Sequence, residues 1–282
     1  MIGWTYLTGI FGIHFFKNTE GSRSPQTLRV LTYNLNDLSL RSIKNKFDGR
    51  QQFNAFIEQQ NADVMCLQEF DTKTTAIQKQ IEFLPILTTY PYILRDDKTA
   101  VCIYSRLPIV SNGTIFKAKD SNGCLFADIQ IGEQTVRFYD VQLFSNNVSD
   151  IADNLVEQGT IVDDKAARSV GRMLARVRRT AINRAKEVEL VKNHAAHSPF
   201  QTIICGDLND IPVSYTYHTL HDGLQDAFQL TGSGVGTTYA GNIPALRIDY
   251  IFTSPNIVPV RCEVPHVPFS DHFPVVGDFI LK

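Results

Sequence analysis

TIICGDLND, residues 202–210, is the stretch on which the reading of this chain turns. Branched and small apolar residues make a strand-forming run, and Gly206 ends it with room for close backbone approach. Asp207 and Asn209 stand two residues apart, so in an extended stretch both face the same side. Pro212 stops the strand from running on. Such a pair can hold a water with its carboxylate and orient a transferring group with its amide. Taken alone it is also an ordinary Asx turn. Four more apolar runs end in or carry polar signatures of the same kind. They are LRVLTYN (28–34) with Asn34, DVMCLQE (63–69) with Glu69, RIDYIF (247–252) with Asp249, and FSDHFPV (269–275) with Asp271 and His272. Five separated segments bringing carboxylates, carboxamides and one imidazole to core strands describe one assembled site.

Glu69 closes an apolar strand, where an ionised carboxylate without a partner is costly. A strand-end salt bridge would relieve it; so would a hard divalent cation, for which Asp, Glu and Asn oxygens are suitable ligands. Asp249 lies inside a strand and needs a donor, and His272 is a natural one. A carboxylate accepting from one ring nitrogen fixes the tautomer and leaves the other for a phosphoryl oxygen or a water. Together these groups are what metal-assisted phosphoester hydrolysis needs. Competing motifs are weak. GSGVG (232–236) has no Lys-Ser/Thr after it, and His194, His197, His218 and His221 lack the cysteines or HExxH pattern of a zinc site.

Composition leaves room for this reading. A chain of 282 residues can bury roughly 70–75% of its unfolded surface in one large core. Net charge of −2 argues against a protein that follows a polyanion by global charge. The five cysteines sit in apolar runs without C-x-x-C spacing and read as small buried hydrophobes. Residues 1–16, MIGWTYLTGIFGIHFF, are apolar but lack a basic n-region and fall short of the about 20 residues that span a bilayer. They read as a packed or disordered lead, or as a membrane-proximal segment. The expected organisation is a lead over 1–27 and one domain over 28–282.

Along that domain, 28–34 and 63–69 read as strands around a helix whose apolar face is Phe53, Phe56 and Ile57. A short helix is expected over 74–83, strands at 92–95 and 100–105, and a hairpin from GCLFADIQI (123–131) and QTVRFYDVQLF (134–144). Residues 146–200 form the helical block, with Val170, Leu174, Val177, Ala181, Val188 and Val191 as its buried stripe. Arg168, Arg172, Arg176, Arg179 and Lys186 make a second stripe, either a solvated face or a phosphate-facing patch. TTYAG (237–241), ALRIDYIF (245–252), PVRCEV (259–264) and FPVVGDFIL (273–281) read as strands. Paired sheets with helices outside fit this order.

TYN, LQE, YSRLPI, GDLND, RIDYIF and SDHFPV occur here in the order seen in the endonuclease/exonuclease/phosphatase (DNase I-like) superfamily, which the chain resembles over 28–282. The resemblance implies an α/β fold, a four-layered α-β-β-α sandwich of two mixed sheets with outer helices. It implies Glu69, Asn34 and Asp271 on the side of a Mg²⁺ ion, with Mn²⁺ as the alternative. Asp207 resembles the residue that aligns or deprotonates water, Asn209 its phosphate-orienting neighbour, and Asp249 and His272 the acid-imidazole pair. One position departs. In YDVQLFS, Gln142 stands where many members have histidine and abasic-site endonucleases have tyrosine. Glutamine donates a hydrogen bond but delivers no proton, and losing a general acid costs about 10²- to 10⁴-fold.

The spacer-plus-strand entry, the arginine-bearing central helix and DIPVSYTYHTL (210–220) further resemble a bacterial subgroup, typical of Bacteroidetes, often preceded by transmembrane helices. The expected function is hydrolysis of a small-molecule or lipid-linked phosphoester. A nuclease is the alternative, disfavoured because phosphate contacts dominate duplex binding and no Lys/Arg-rich loop flanks the site. A scaffold that has lost efficient chemistry is the third reading, and it rests on Gln142. Oligomeric state is left open.

Overall fold

The computed structural model describes residues 27–38, 40, 43, 45–70, 84–96, 98–117, 122–145, 164–241 and 245–282; side chains of 46, 85 and 164–176 are outside the description. The first sheet contains β1 (Leu28–Asn34), β2 (Val64–Gln68), β3 (Tyr92–Arg95), β4 (Cys102–Ser105), β11 (Ile257–Glu263) and β12 (Val275–Leu281), in the order β11-β12-β1-β2-β4-β3. The second contains β5 (Ile109–Lys117), β6 (Gly123–Ile131), β7 (Gln134–Gln142), β8 (Gln201–Asp207), β9 (Gln225–Asp226) and β10 (Asp249–Thr253), in the order β5-β6-β7-β8-β10-β9. Helix α1 (Lys46–Gln60) follows β1, the long α2 (Asp164–Ala196) precedes β8, and α3 (Tyr215–His221) and α4 (Ala227–Thr231) lie between β8 and β10. No helix among the described residues is long and apolar enough to cross a membrane.

Side-chain alternation along the strands sorts the core into three apolar layers. Between the sheets, Val30, Val64, Cys66 and Ile103 meet Ala127, Phe138, Ile203 and Ile251. Outside the first sheet, Leu31, Tyr33, Met65 and Tyr104 pack on Phe53, Phe56 and Ile57 of α1. Outside the second, Tyr139, Val141, Ile204 and Phe252 pack on Val188 and Val191 of α2 and on Tyr217 and Leu220 of α3. This is the four-layered α-β-β-α sandwich that the sequence leads one to expect. All five cysteines are buried free thiols.

The register explains where the polar strand ends go. β1 and β2 run parallel, as do β7 and β8, so their C-terminal ends share one edge of the sandwich. β10 runs antiparallel to β8, which places its first residue, Asp249, opposite Asp207. Gln142 is opposite Asp207 on the other side, and Asn34 is opposite Gln68 in the facing sheet. All five occupy the inner faces, two residues along from Asp140, Cys205, Ile251, Thr32 and Cys66.

Three expectations change. β5 was not foreseen, because this edge strand is largely exposed and carries Ser, Asn and Gly where a half-buried strand would alternate. TTYAG makes only a single bridge, Tyr239 to His272. The buried stripe of α2 passes through Thr180 and Arg184 instead of Ala181, which is exposed. Arg179 and Lys186 are exposed as a solvated face would be. The lead segment, the helix expected over 74–83, the start of the helical block and the side chains of Val170, Leu174, Arg168, Arg172 and Arg176 fall outside the described residues.

Candidate active site

The inner-face row at the shared edge is knit by side-chain hydrogen bonds. Asn34 Nδ2 donates to Asp207 Oδ2 at 3.0 Å and to Glu69 Oε1 at 3.1 Å, joining the two sheets. Asn34 Oδ1 accepts from Asn36 N at 3.0 Å, which fixes the amide orientation. Gln142 Nε2 donates to the same Glu69 Oε1 at 2.7 Å. Its own oxygen accepts from Glu69 N at 3.3 Å.

Strict alternation would send the Glu69 side chain outward with Leu67. A positive φ of 48° turns it back toward the inner row. Such a conformation costs a β-substituted residue about 1–3 kcal/mol and persists only where neighbours hold it. Gln142 is that holder, gripping both the amide and the carboxylate of Glu69. This grip needs a donor and an acceptor on one side chain, which a carboxamide supplies.

Asp207 receives Asn209 N at 2.7 Å on Oδ1 and Asn209 Nδ2 at 3.1 Å on Oδ2. The Asx turn and the water-holding pair are thus one arrangement. Asn209, at φ 51°, also donates to Leu143 O at 3.0 Å. Gly206, at φ 137°, permits this close passage, since an added Cβ would lie 1.9 Å from the Val141 carbonyl oxygen.

His272 Nδ1 pairs with Asp249 Oδ2 at 2.9 Å, leaving Nε2 4.0 Å from Asp207 Oδ2. Burial alone would lower the His272 ring, but the charges of Asp249 and Asp207 outweigh it and push the ring up to about 10. Burial, then the Asp249 charge, raises the Asp207 carboxyl to about 7. Asp207, Asp249 and His272 are buried, with ligand atoms within 4.8 Å of one another, the one such group of metal-binding type among the described residues.

The structure therefore joins Asn34, Glu69, Gln142, Asp207 and Asn209 in one bonded network, with Asp249 and His272 against it. Asp271 is half-buried, with its Oδ1 3.3 Å from Ser270 Oγ, and its charge contributes to raising His272. Sequence reasoning missed three supports. Ser270 Oγ donates to Asn34 O at 2.8 Å and accepts from His272 N at 3.2 Å. Thr238 Oγ1 accepts from Asp249 N at 3.1 Å, and the Tyr239 ring packs edge-on to His272. Ser270 is the first residue of the SDHFPV signature, but Thr238 and Tyr239 give no signal without the fold. The zinc reading finds no support, as His194 bonds Tyr139 and His221 stacks on Tyr217.

Residues 31–272 match the model of the endonuclease/exonuclease/phosphatase family. No curated protein matches the chain. Among solved structures, a family protein from Bacteroides vulgatus is similar at 17% identity and TM-score 0.64, covering 91% of this chain and 99% of its own. A humanized D. rerio TDP2 with 14 mutations is similar at 16% identity and TM-score 0.64, over 90% and 99% of the two chains. A family protein from Bacteroides thetaiotaomicron is similar at 17% identity and TM-score 0.62, over 93% and 97%. These likenesses carry the DNase I-like fold.

Proposed function

This chain belongs to the endonuclease/exonuclease/phosphatase family, and from that premise we propose that it is a divalent-metal-dependent hydrolase of a small-molecule or lipid-linked phosphoester. The observation that carries the proposal is the inner-face row: Glu69, Asp207 and Asp249 converge with one imidazole and three carboxamides at a single edge. Three carboxylates against one imidazole leave an excess of negative charge in poorly solvated surroundings, which a cation relieves. Their oxygen donors suit Mg²⁺, with Mn²⁺ as the alternative.

Glu69, Asn34 and Asp271 would hold the ion, because Glu69 and Asp271 are half-buried and open toward solvent while Asp249 is already committed to His272. Bound there, it would neutralise charge on the phosphoryl oxygens. Asp207, fixed on both oxygens by Asn209 and Asn34, is placed to take a proton from an attacking water. Asn209, expected to orient the phosphoryl group, gives its two amide hydrogens to Asp207 Oδ2 and Leu143 O, so here it acts by holding the Asp207 carboxylate. His272, held through Nδ1 by Asp249, offers Nε2 as donor to a phosphoryl oxygen. Gln142 is committed to Glu69 and supplies no proton, so esters with acidic leaving groups are the favoured substrates.

The test is a metal-dependent screen of bis-p-nitrophenyl phosphate, phosphatidylinositol phosphates, sphingomyelin and single- and double-stranded DNA. Turnover of a small or lipid ester, insensitive to added salt, is the expected result. Preference for DNA with steep salt dependence would move the reading to a nuclease. Silence on all substrates with Mg²⁺ and Mn²⁺ would remove the enzyme reading.

A further inference from the structure

Helix α2 grips the two strand ends next to the site through a pair of charged side chains that the proposed chemistry does not use. Arg184 and Glu187 stand three residues apart on α2 and hold Phe144 by both of its backbone groups. Phe144 N donates to Glu187 Oε2 at 2.8 Å, and Phe144 O accepts from Arg184 Nη1 at 3.4 Å. The same guanidinium lies 3.2 Å from Asp210 Oδ2, with only 5% of its side chain exposed. Asp210 is held further by Thr216 Oγ1 at 2.9 Å and, at its carbonyl, by Tyr250 OH at 2.9 Å.

One residue inward on each segment are Leu143 and Asn209, joined by Asn209 Nδ2 and Leu143 O at 3.0 Å. Leu143 N in turn donates to Asp207 O at 3.0 Å. Arg184 lies in the stripe that continues as Val188 and Val191, where an apolar residue would serve packing at least as well as a buried ion pair. Its charge therefore needs another reason.

We propose that Arg184 and Glu187 are positioning residues: they clip the Leu143 and Asn209 strand ends together and so set the aim of the Asn209 carboxamide and the Asp207 carboxylate. The kinetic consequence rests on the hydrolase reading above; the structural consequence does not. Phosphoryl transfer depends on alignment, and a displacement of about 1 Å from a remote change can cost about 10²-fold.

The test uses the full chain with Arg184→Gln, Arg184→Lys, Asp210→Asn, the Arg184→Gln/Asp210→Asn double variant, and Val188→Ala as a packing control. Turnover of bis-p-nitrophenyl phosphate with Mn²⁺ and amide hydrogen exchange are both measured. Arg184→Gln is expected to lower kcat about 10²-fold with KM unchanged. The double variant should be no worse, and Arg184→Lys should recover part of the loss. Val188→Ala should lower Tm and keep kcat. Exchange at the Phe144 and Asn209 amides should rise about tenfold or more in Arg184→Gln, while the amides of β2 keep their wild-type rates.

Wild-type kcat in a folded Arg184→Gln, additive losses in the double variant, or unchanged exchange at Phe144 and Asn209 would overturn the clip. Should Arg184→Gln fail to fold, Asp210→Asn carries the same two readouts. If the wild type hydrolyses nothing, the hydrolase reading falls, and the exchange result alone upholds or overturns the clip.

Discussion

The two ends of the space between the sheets are built by the same strands on the same faces, and they differ in almost everything else. At one end Val30, Val64, Phe138, Ile203 and Ile251 make a dry apolar core. A few residues along, the same inner faces carry Asn34, Gln68, Gln142, Asp207 and Asp249. Backbone geometry alone therefore does not make the site. Parallel and antiparallel pairing gather the ends, and substitution of polar residues at inner positions turns a core layer into a charged one. The apolar end supplies the rigidity and low polarity that make the charges at the other end strongly interacting.

Four perturbations would break or sharpen this contrast. His272→Ala has the largest expected effect. It removes the imidazole facing Asp207 and Asp249, so hydrolysis should fall about 10³-fold, within the range seen for acid-base groups. Metal-free stability should fall by about 3–5 kcal/mol, because two buried carboxylates lose their partner. Steady-state kinetics and denaturant melts read both, and preserved turnover would place the chemistry elsewhere. Phe138→Ala strikes the apolar end. It should cost about 3–5 kcal/mol of stability yet keep kcat wherever the variant is folded. A loss of kcat at full folding would show that the two ends are not separable.

The third perturbation is pH. Asp207 is raised from 3.8 to about 7, so the folded state keeps a proton that the unfolded chain releases. Its contribution is full below the unfolded value and is lost as pH rises through about 7. His272, raised from 6.5 to about 10, adds a loss of the same sign from 6.5 upward. Metal-free protein should thus become less stable from neutral pH toward 10. A bound cation replaces the protons, and Mg²⁺ at a hundred times its Kd should restore about 2.7 kcal/mol. Urea melts across pH with and without Mg²⁺ check this; a flat metal-free profile would contradict it.

The smallest effect is expected at the boundary. Asp140 sits between Phe138 and Gln142 on the inner face, fully buried, with Gln68 Nε2 donating to it at 2.6 Å. Burial pushes its carboxyl well above the usual range, against the pull of the Gln68 hydrogen bond, and so favours the protonated form. Asp140→Asn should change stability by about 1 kcal/mol or less, without pH dependence near neutrality. A large pH-dependent gain in denaturant melts would reveal a charge there and move the polar zone one row deeper.

Much of this contrast was legible in the sequence, because alternation and strand-end polarity are local. TIICGDLND and RIDYIF show both ends of the contrast within one strand each, and the Asp249 to His272 bond follows from the needs of a buried acid. Glu69 was legible as a site residue, but its turn into the row was not, since a positive φ at a glutamate leaves no mark in residue type. The grip of Gln142 on Glu69 joins positions 73 apart across two sheets, so the glutamine read only as a missing proton donor. Arg184 was hidden because an arginine on a helix ordinarily faces water. Asp210, its partner, is visible only once α2 is packed. β5 was missed for the opposite reason: it is paired as a strand but is not buried like one.

The central claim is that the inner-face row is one metal-dependent hydrolytic site. The most direct measurement is p-nitrophenolate release from bis-p-nitrophenyl phosphate by the wild type and by Asp207→Asn, each with Mg²⁺ or Mn²⁺ and again after EDTA. The prediction is turnover by the wild type that EDTA abolishes and added metal restores, with loss of about 10²-fold or more in Asp207→Asn under every condition. Turnover that ignores EDTA, or that survives in Asp207→Asn, would contradict it.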